Sequence, residues 1–197
     1  MNASEKEILT KNLRRHVAHL SVDIGERHIW NGDSLEQAAQ YIESEFRAAG
    51  YLPVRQTYLA YRKPVSNIIV EKQGTRPDLI LIGSHYDSVP GSPGADDNAS
   101  AVAGLLELAR MLRNIRCSRS FRLVGFVNEE SPCFGSDYMG SMQYARHLKE
   151  RGRKVACMIS LEMKPRSSWT SRSSSINWFG LLRRPSRSRS RDRDGIA

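Results

Sequence analysis

Apolar residues recur at helical spacing over residues 6–22, at Ile8, Leu9, Leu13, Val17, Leu20 and Val22, and predict an amphipathic first helix. A second helix is marked by its ends as well as its stripe. Asp33 or Ser34 suits the N-cap and Glu36 and Gln37 the first turn; Ala38, Tyr41, Ile42, Phe46 and Ala49 line one face until Gly50 stops the helix. The pattern then changes period. SNIIVEK and DLILIGS read as strands, the second a continuous apolar run of the kind covered on both faces. ASAVAGLLELARMLRN returns to helical spacing, with apolar side chains at 101, 102, 105, 106, 108, 109 and 112. FRLVGFVN and ACMISLE read as two further buried strands, separated by the helix SDYMGSMQYARHLKERG.

Strands that alternate with helices predict an α/β fold: a doubly wound, mostly parallel sheet with helices on both faces and its site at the carboxyl ends of the strands. Length agrees with one core, since 197 residues suit a single domain. No apolar run approaches the roughly 20 residues of a membrane-spanning helix, so no membrane insertion is expected. The opening MNASEKEILTKNLRRH lacks the apolar core and cleavage site of a secretory signal, which leaves the cytoplasm as the default expectation. Three cysteines, Cys117, Cys133 and Cys157, are an odd number without CxxC spacing and predict reduced thiols, not a disulfide framework or a thiolate metal site.

Charge changes the picture only once it is divided along the chain. The formal net charge is +9, but residues 164–197 carry one Lys and eight Arg against two Asp, or +7, leaving +2 for residues 1–163. The body is nearly neutral, so a nucleic-acid partner is not expected except through the basic tail. That tail has nine Ser and an Arg-Ser alternation, a composition too polar to bury a core, and is expected to be disordered. The domain is therefore expected to span residues 1–163, with a boundary near Met163.

Candidate chemistry gathers at the predicted strand ends. His85 and Asp87 follow LILIGS, Asp96 and Asp97 precede the 99–113 helix, Glu129 and Glu130 follow FRLVGFVN, and Glu162 ends ACMISL. A lone HxD is often an ordinary polar pair, and GADDNAS would serve as an acidic helix N-terminus. Two adjacent glutamates straight after a buried strand are harder to place without a cation, because repulsion and desolvation both oppose them. Imidazole and carboxylate together suit zinc without thiolates. His16, His19, His28 and His147 join no such group and read as structural or solvated, and Trp30, Tyr41 and Phe46 read as core.

GSHYDSVPGSPGADDNASAVAGLLELARML and FVNEESPCFGSDYMGS resemble the two central signatures of the co-catalytic zinc aminopeptidases of the leucyl aminopeptidase and aminopeptidase S type, relatives of glutamate carboxypeptidase and glutaminyl cyclase. The resemblance runs over about residues 8–163 and implies a doubly wound α/β fold and removal of N-terminal residues from a peptide substrate. It implies His85 as ligand of one zinc, Asp96 as the carboxylate bridging two zincs, Glu130 as ligand of the second, and Glu162 as a further carboxylate on the zinc of His85. It implies Asp87 as the residue that orients His85, Glu129 as the general base toward the attacking water, and a cis peptide between Asp96 and Asp97. The family pattern stops after Met163 and its later histidine ligand has no counterpart, since no His follows His147. One complete zinc set at most is expected, and the Arg-Ser sequence resembles a shifted reading frame or an alternative end. Two other readings stand beside the exopeptidase: an inactive remnant that binds metal or a partner, and an RNA-associated protein acting through its tail.

Overall fold

Two helices open the chain before any strand forms. The computed structural model describes residues 2–162; the expected boundary near Met163 and the expected disorder of residues 164–197 lie outside the described residues. Helix α1 runs Ala3–Ala18 and passes without a break into a π-helical segment, His19–Ile24. Its start is a capping box, with Asn2 and Glu5 each accepting the other's main-chain N–H. Leu20 is fully buried, whereas Val22 is 77% exposed, because residues two apart on a helix face opposite sides.

Helix α2, Gly32–Ala48, buries Leu35, Ala38, Ile42 and Phe46. Its N-cap is Asn31, not Asp33 or Ser34, and the Asn31 side chain donates back to the Glu26 carbonyl instead of capping. Gly50, at φ 84°, takes the left-handed conformation that ends the helix.

Strand β1, Val54–Ala60, and strand β2, Lys63–Lys72, form a hairpin turned by Tyr61 and Arg62, both at positive φ. The sequence pattern does not reveal β1. Its VRQTYLA carries polar residues on both faces because it lies at the sheet edge, with Val54 and Leu59 exposed. After the hairpin come β3, Arg76–His85; helix α3, Ser100–Leu112; β4, Arg119–Phe126; helix α4, Gly140–Glu150; and β5, Val155–Ser160.

The sheet order is β1-β2-β4-β3-β5. β3 pairs in parallel with both β4 and β5, while β1–β2 and β2–β4 are antiparallel. The α/β class is as expected, and the described sheet is mixed, because the hairpin adds an antiparallel pair to the parallel strands. Alternation along the strands builds two cores. Leu79 and Leu81 of β3 and Val124 and Phe126 of β4 pack on Tyr144, Ala145 and Leu148 of α4. Ile82, Leu123, Ile68 and Val70 face the other way, onto Ile42 and Phe46 of α2 and Val102, Leu105 and Ala109 of α3. Helices therefore cover both faces of β3 and β4, whereas β5, expected from its apolar run to be buried, is among the described residues an edge strand and largely exposed. Trp30 is not core, as expected from its residue type, but 54% exposed, with Lys63 over its ring and Tyr61 beside it. Among the described residues no helix is long and apolar enough to cross a membrane.

Candidate metal centre

Sheet order and register bring three strand ends together. β3 lies between β4 and β5, with His85 opposite Phe126 and Gly83 opposite both Val124 and Ser160. The residues just beyond β4 and β5 therefore flank His85. The chain leaving β4 passes Asn128, at φ 61°, before Glu129 and Glu130.

His85 is buried, and its two ring nitrogens face different partners. Nδ1–H donates to the Asp87 main-chain carbonyl at 3.1 Å, with the Asp87 carboxylate at 3.5 Å. That bond turns Nε2 outward, as the nitrogen that would face a cation once its proton is given up. Around Nε2 stand Asp97 Oδ1 at 3.1 Å, Glu162 Oε2 at 3.6 Å and Glu130 Oε1 at 3.8 Å. Burial disfavours the imidazolium, yet Asp87, Asp97 and Glu162 outweigh it and hold the His85 pKa well above its usual range. Asp97 is held below its ordinary value by the hydrogen bond to His85, while Glu130 is raised by burial.

The aspartate in this group is Asp97. Both aspartates are exposed, but among the described residues it is Asp97 that brings a carboxylate oxygen to His85, while the Asp96 main-chain carbonyl accepts the Ser100 hydroxyl at 2.7 Å. The cis peptide likewise lies one residue beyond the position implied by the resemblance, between Asp97 and Asn98. Nothing in the spacing of GADDNAS separates two adjacent aspartates. The choice is made by the irregular backbone over Ala95–Ala99, entered through Gly94 at φ 58°. Asn98, which the sequence offers only as part of a helix N-terminus, is buried and donates to the Leu161 carbonyl and to Glu162 Oε2, which steadies the β5 end of the group.

Glu129 points elsewhere and is held by one residue. Its Oε1 accepts the Ser141 main-chain N–H at 2.7 Å and its Oε2 the Ser141 hydroxyl at 2.6 Å. Ser141 sits in the first turn of α4, where N–H groups lack helical acceptors. Buried Asn67 fixes this junction: its amide donates to the Gly140 carbonyl and its carbonyl oxygen accepts the Val127 N–H. A side chain at Gly140 would meet Asn67 Oδ1 at 2.2 Å, so only glycine fits. Burial pushes the Glu129 carboxyl up to about 7, against the two Ser141 bonds. A serine one residue into a helix is a common N-terminal residue, and that commonness hides Ser141 in the sequence.

The donor set tests whether a cation fits. Ligand atoms of His85, Asp97 and Glu130 all lie within 4.8 Å of one another. Distances of 3.1–3.8 Å from Nε2 bracket the roughly 3.4 Å between ligands of one tetrahedral zinc. Among the described residues no Lys or Arg pairs with Asp97, Glu130 or Glu162, and their salt-bridge partner is His85. Three carboxylates and one imidazole lone pair fit a divalent cation, zinc included. The three cysteines are free and take no part.

Comparison with known proteins bears on the family and the fold. YfbL of Escherichia coli (strain K12), itself uncharacterised, is 38% identical over 161 residues, covering 78% of this chain and 49% of YfbL. Aminopeptidase YwaD of Bacillus subtilis (strain 168) is 35% identical over 99 residues, 50% of this chain and 19% of YwaD. The chain thus spans about half the length of one relative and a fifth of the other. The solved structure of BSAP, a zinc aminopeptidase from Bacillus subtilis, superposes with a TM-score of 0.69 at 17% identity, over 78% of this chain and 69% of that one; it shows the shared fold. Residues 67–175, more than half of the chain, match the sequence profile of peptidase family M28, and with both signatures on the strand ends described above, the chain belongs to that family.

Proposed function

We propose that the chain acts as a zinc-dependent exopeptidase of the aminopeptidase type, hydrolysing the N-terminal bond of a peptide. The observation that supports this reading is the division of labour between the adjacent glutamates Glu129 and Glu130. One glutamate of the pair faces the cation ligands, while its neighbour is held apart, half-buried, with a carboxyl near neutrality. His85 Nε2, Asp97 Oδ1 and Glu130 Oε1 would hold the cation, with Glu162 beside them; Asp97 takes the place the resemblance implies for Asp96. Bound zinc would supply Lewis acidity toward the peptide carbonyl and lower the pKa of the attacking water.

The protein's own residues do the rest. Glu129 accepts a proton from that water and returns it to the leaving amine, a role favoured by a pKa close to working pH. Ser141 holds both oxygens of Glu129 in place, and Asp87 keeps His85 in the tautomer that presents Nε2. The experiment is metal analysis of the purified chain beside an aminoacyl-anilide assay. We expect weak hydrolysis, abolished by a chelator and lowered about 10²–10⁴-fold in Glu129→Gln. Chelator-resistant hydrolysis unchanged in Glu129→Gln overturns the proposal.

A further inference from the structure

Arg27 is fully buried, the largest side chain in the described protein to be so, and its guanidinium hydrogen-bonds to main-chain carbonyls alone. Nη1 reaches Leu20 and Gly25 at 2.6 Å each and Pro93 at 2.7 Å; Nε reaches Tyr86 at 2.9 Å, and Nη2 reaches Gly94 at 3.1 Å. Its own backbone pairs with Ser88, whose hydroxyl accepts the Arg27 N–H at 3.1 Å while the Ser88 N–H donates to the Arg27 carbonyl at 2.7 Å. Burial lowers the guanidinium pKa to about 10, against the attraction of Asp87, so Arg27 remains charged at neutral pH.

Burying a cation is costly unless its donors are satisfied. Here they are satisfied by three pieces of chain with no strand or helix pairing among them. Leu20 and Gly25 close the π-helical segment. Tyr86 and Ser88 flank Asp87 just beyond β3. Pro93 and Gly94 lead into Asp97. The Gly94 carbonyl also accepts the Ala99 N–H at 3.0 Å, so the guanidinium holds the first link of the Asp97 segment. Contact there is close: a Cβ on Gly94 would meet Ser88 Cβ at 2.6 Å, the Asp97 carbonyl at 2.7 Å and Arg27 Nη2 at 2.9 Å. A lysine has one donor point and cannot reach carbonyls on several sides at once.

We propose that Arg27 is a positioning residue for the cation site: by gathering the carbonyls of Tyr86, Pro93 and Gly94 at one point, it sets the loop so that Asp97 faces His85 Nε2. The inference rests on reading the His85 group as a metal site. The test is zinc affinity, by competition with a chromophoric chelator at 10 °C, and amide hydrogen exchange, for the 197-residue chain, Arg27→Lys, Arg27→Gln and His85→Ala. Circular dichroism and urea titration establish the folded fraction.

The expected result is that Arg27→Lys and Arg27→Gln remain folded, bind zinc about 10–100-fold more weakly, and lose exchange protection at Ser88 and Ala99 while β3 and β4 amides keep theirs. Folded variants with unchanged zinc affinity overturn the proposal. So does global unfolding of both, since Arg27 would then support the whole core and not the loop. If the parent chain binds no zinc, or His85→Ala binds it equally well, the metal reading fails instead. The exchange pattern at Ser88 and Ala99 still reports whether Arg27 fixes the loop.

Discussion

The Asp87 carboxylate accepts the main-chain N–H of Glu130 at 2.9 Å through Oδ2, while its Oδ1 accepts that of Glu129 at 3.1 Å. Asp87 thus does more than sit beside His85: it ties the turn after β3 to the turn after β4. Asp87→Asn keeps one oxygen acceptor, so one of the two amides loses its partner. Zinc affinity is expected to fall about 10–100-fold, measured by chelator competition, with the far-ultraviolet circular dichroism spectrum unchanged.

Adjacent aspartates offer a sharper contrast. Asp97→Asn is expected to abolish tight zinc binding, because it removes a charge 3.1 Å from His85 Nε2. Asp96→Asn is expected to leave it within a factor of about two, since Asp96 is outside the group of ligand atoms. Isothermal titration of the two variants side by side decides the assignment, and equal losses would contradict it.

Zinc stoichiometry is a separate matter. The group holds one imidazole, and one set of ligand atoms lies close enough together among the described residues. One tightly held zinc per chain is expected from elemental analysis after dialysis. Two would require a ligand outside the residues named here.

Much of the fold is legible in the sequence, for reasons visible in particular residues. Leu79, Leu81, Leu123 and Val124 lie in strands covered on both faces, so their apolar runs are uninterrupted. β1 is hidden because an edge strand needs no such run. The candidate site is legible where a residue type is unusual at its position, as with His85 at a strand end or two glutamates in succession. It is illegible where backbone conformation decides. Asp97 is distinguished from Asp96 by the dihedrals that follow Gly94, and Arg27 by carbonyls drawn from three distant segments.

Packing on the α4 face gives a stability test. Leu81 is fully buried against Tyr144, Ala145 and Leu148, so Leu81→Ala should cost about 2–5 kcal/mol. Val22→Ala, at an exposed site, should change stability by less than about 0.5 kcal/mol. Urea denaturation of both variants checks the difference.

His16 supplies a pH test away from the site. Its Nδ1 is 2.7 Å from the Tyr41 hydroxyl, and burial, assisted by the Arg15 charge, lowers its pKa below 6.5. The folded state therefore resists a proton that the unfolded chain accepts near 6.5. Stability contributed by neutral His16 is present above pH 6.5 and lost as pH falls toward the folded pKa. Burial opposes ionisation of Glu107, but Arg110 and Asn12 hold it below 4.5, so its own loss falls in a lower window. The drop in Tm between pH 6.5 and 5.5 is expected to be smaller in His16→Gln than in the parent chain, by differential scanning calorimetry.

The order β4-β3-β5 makes the centre a product of three strands in register. His85, Glu130 and Glu162 each belong to a different strand end, and α3, β4 and α4 lie between β3 and β5 along the chain. A partly paired sheet could present at most two of these groups together. Zinc would therefore discriminate among folding states, binding the fully registered sheet and adding about 2.7 kcal/mol to its stability at a free concentration 100 times Kd. Metal supply and strand register would then be linked, with the cation acting as a check on the pairing of β3, β4 and β5.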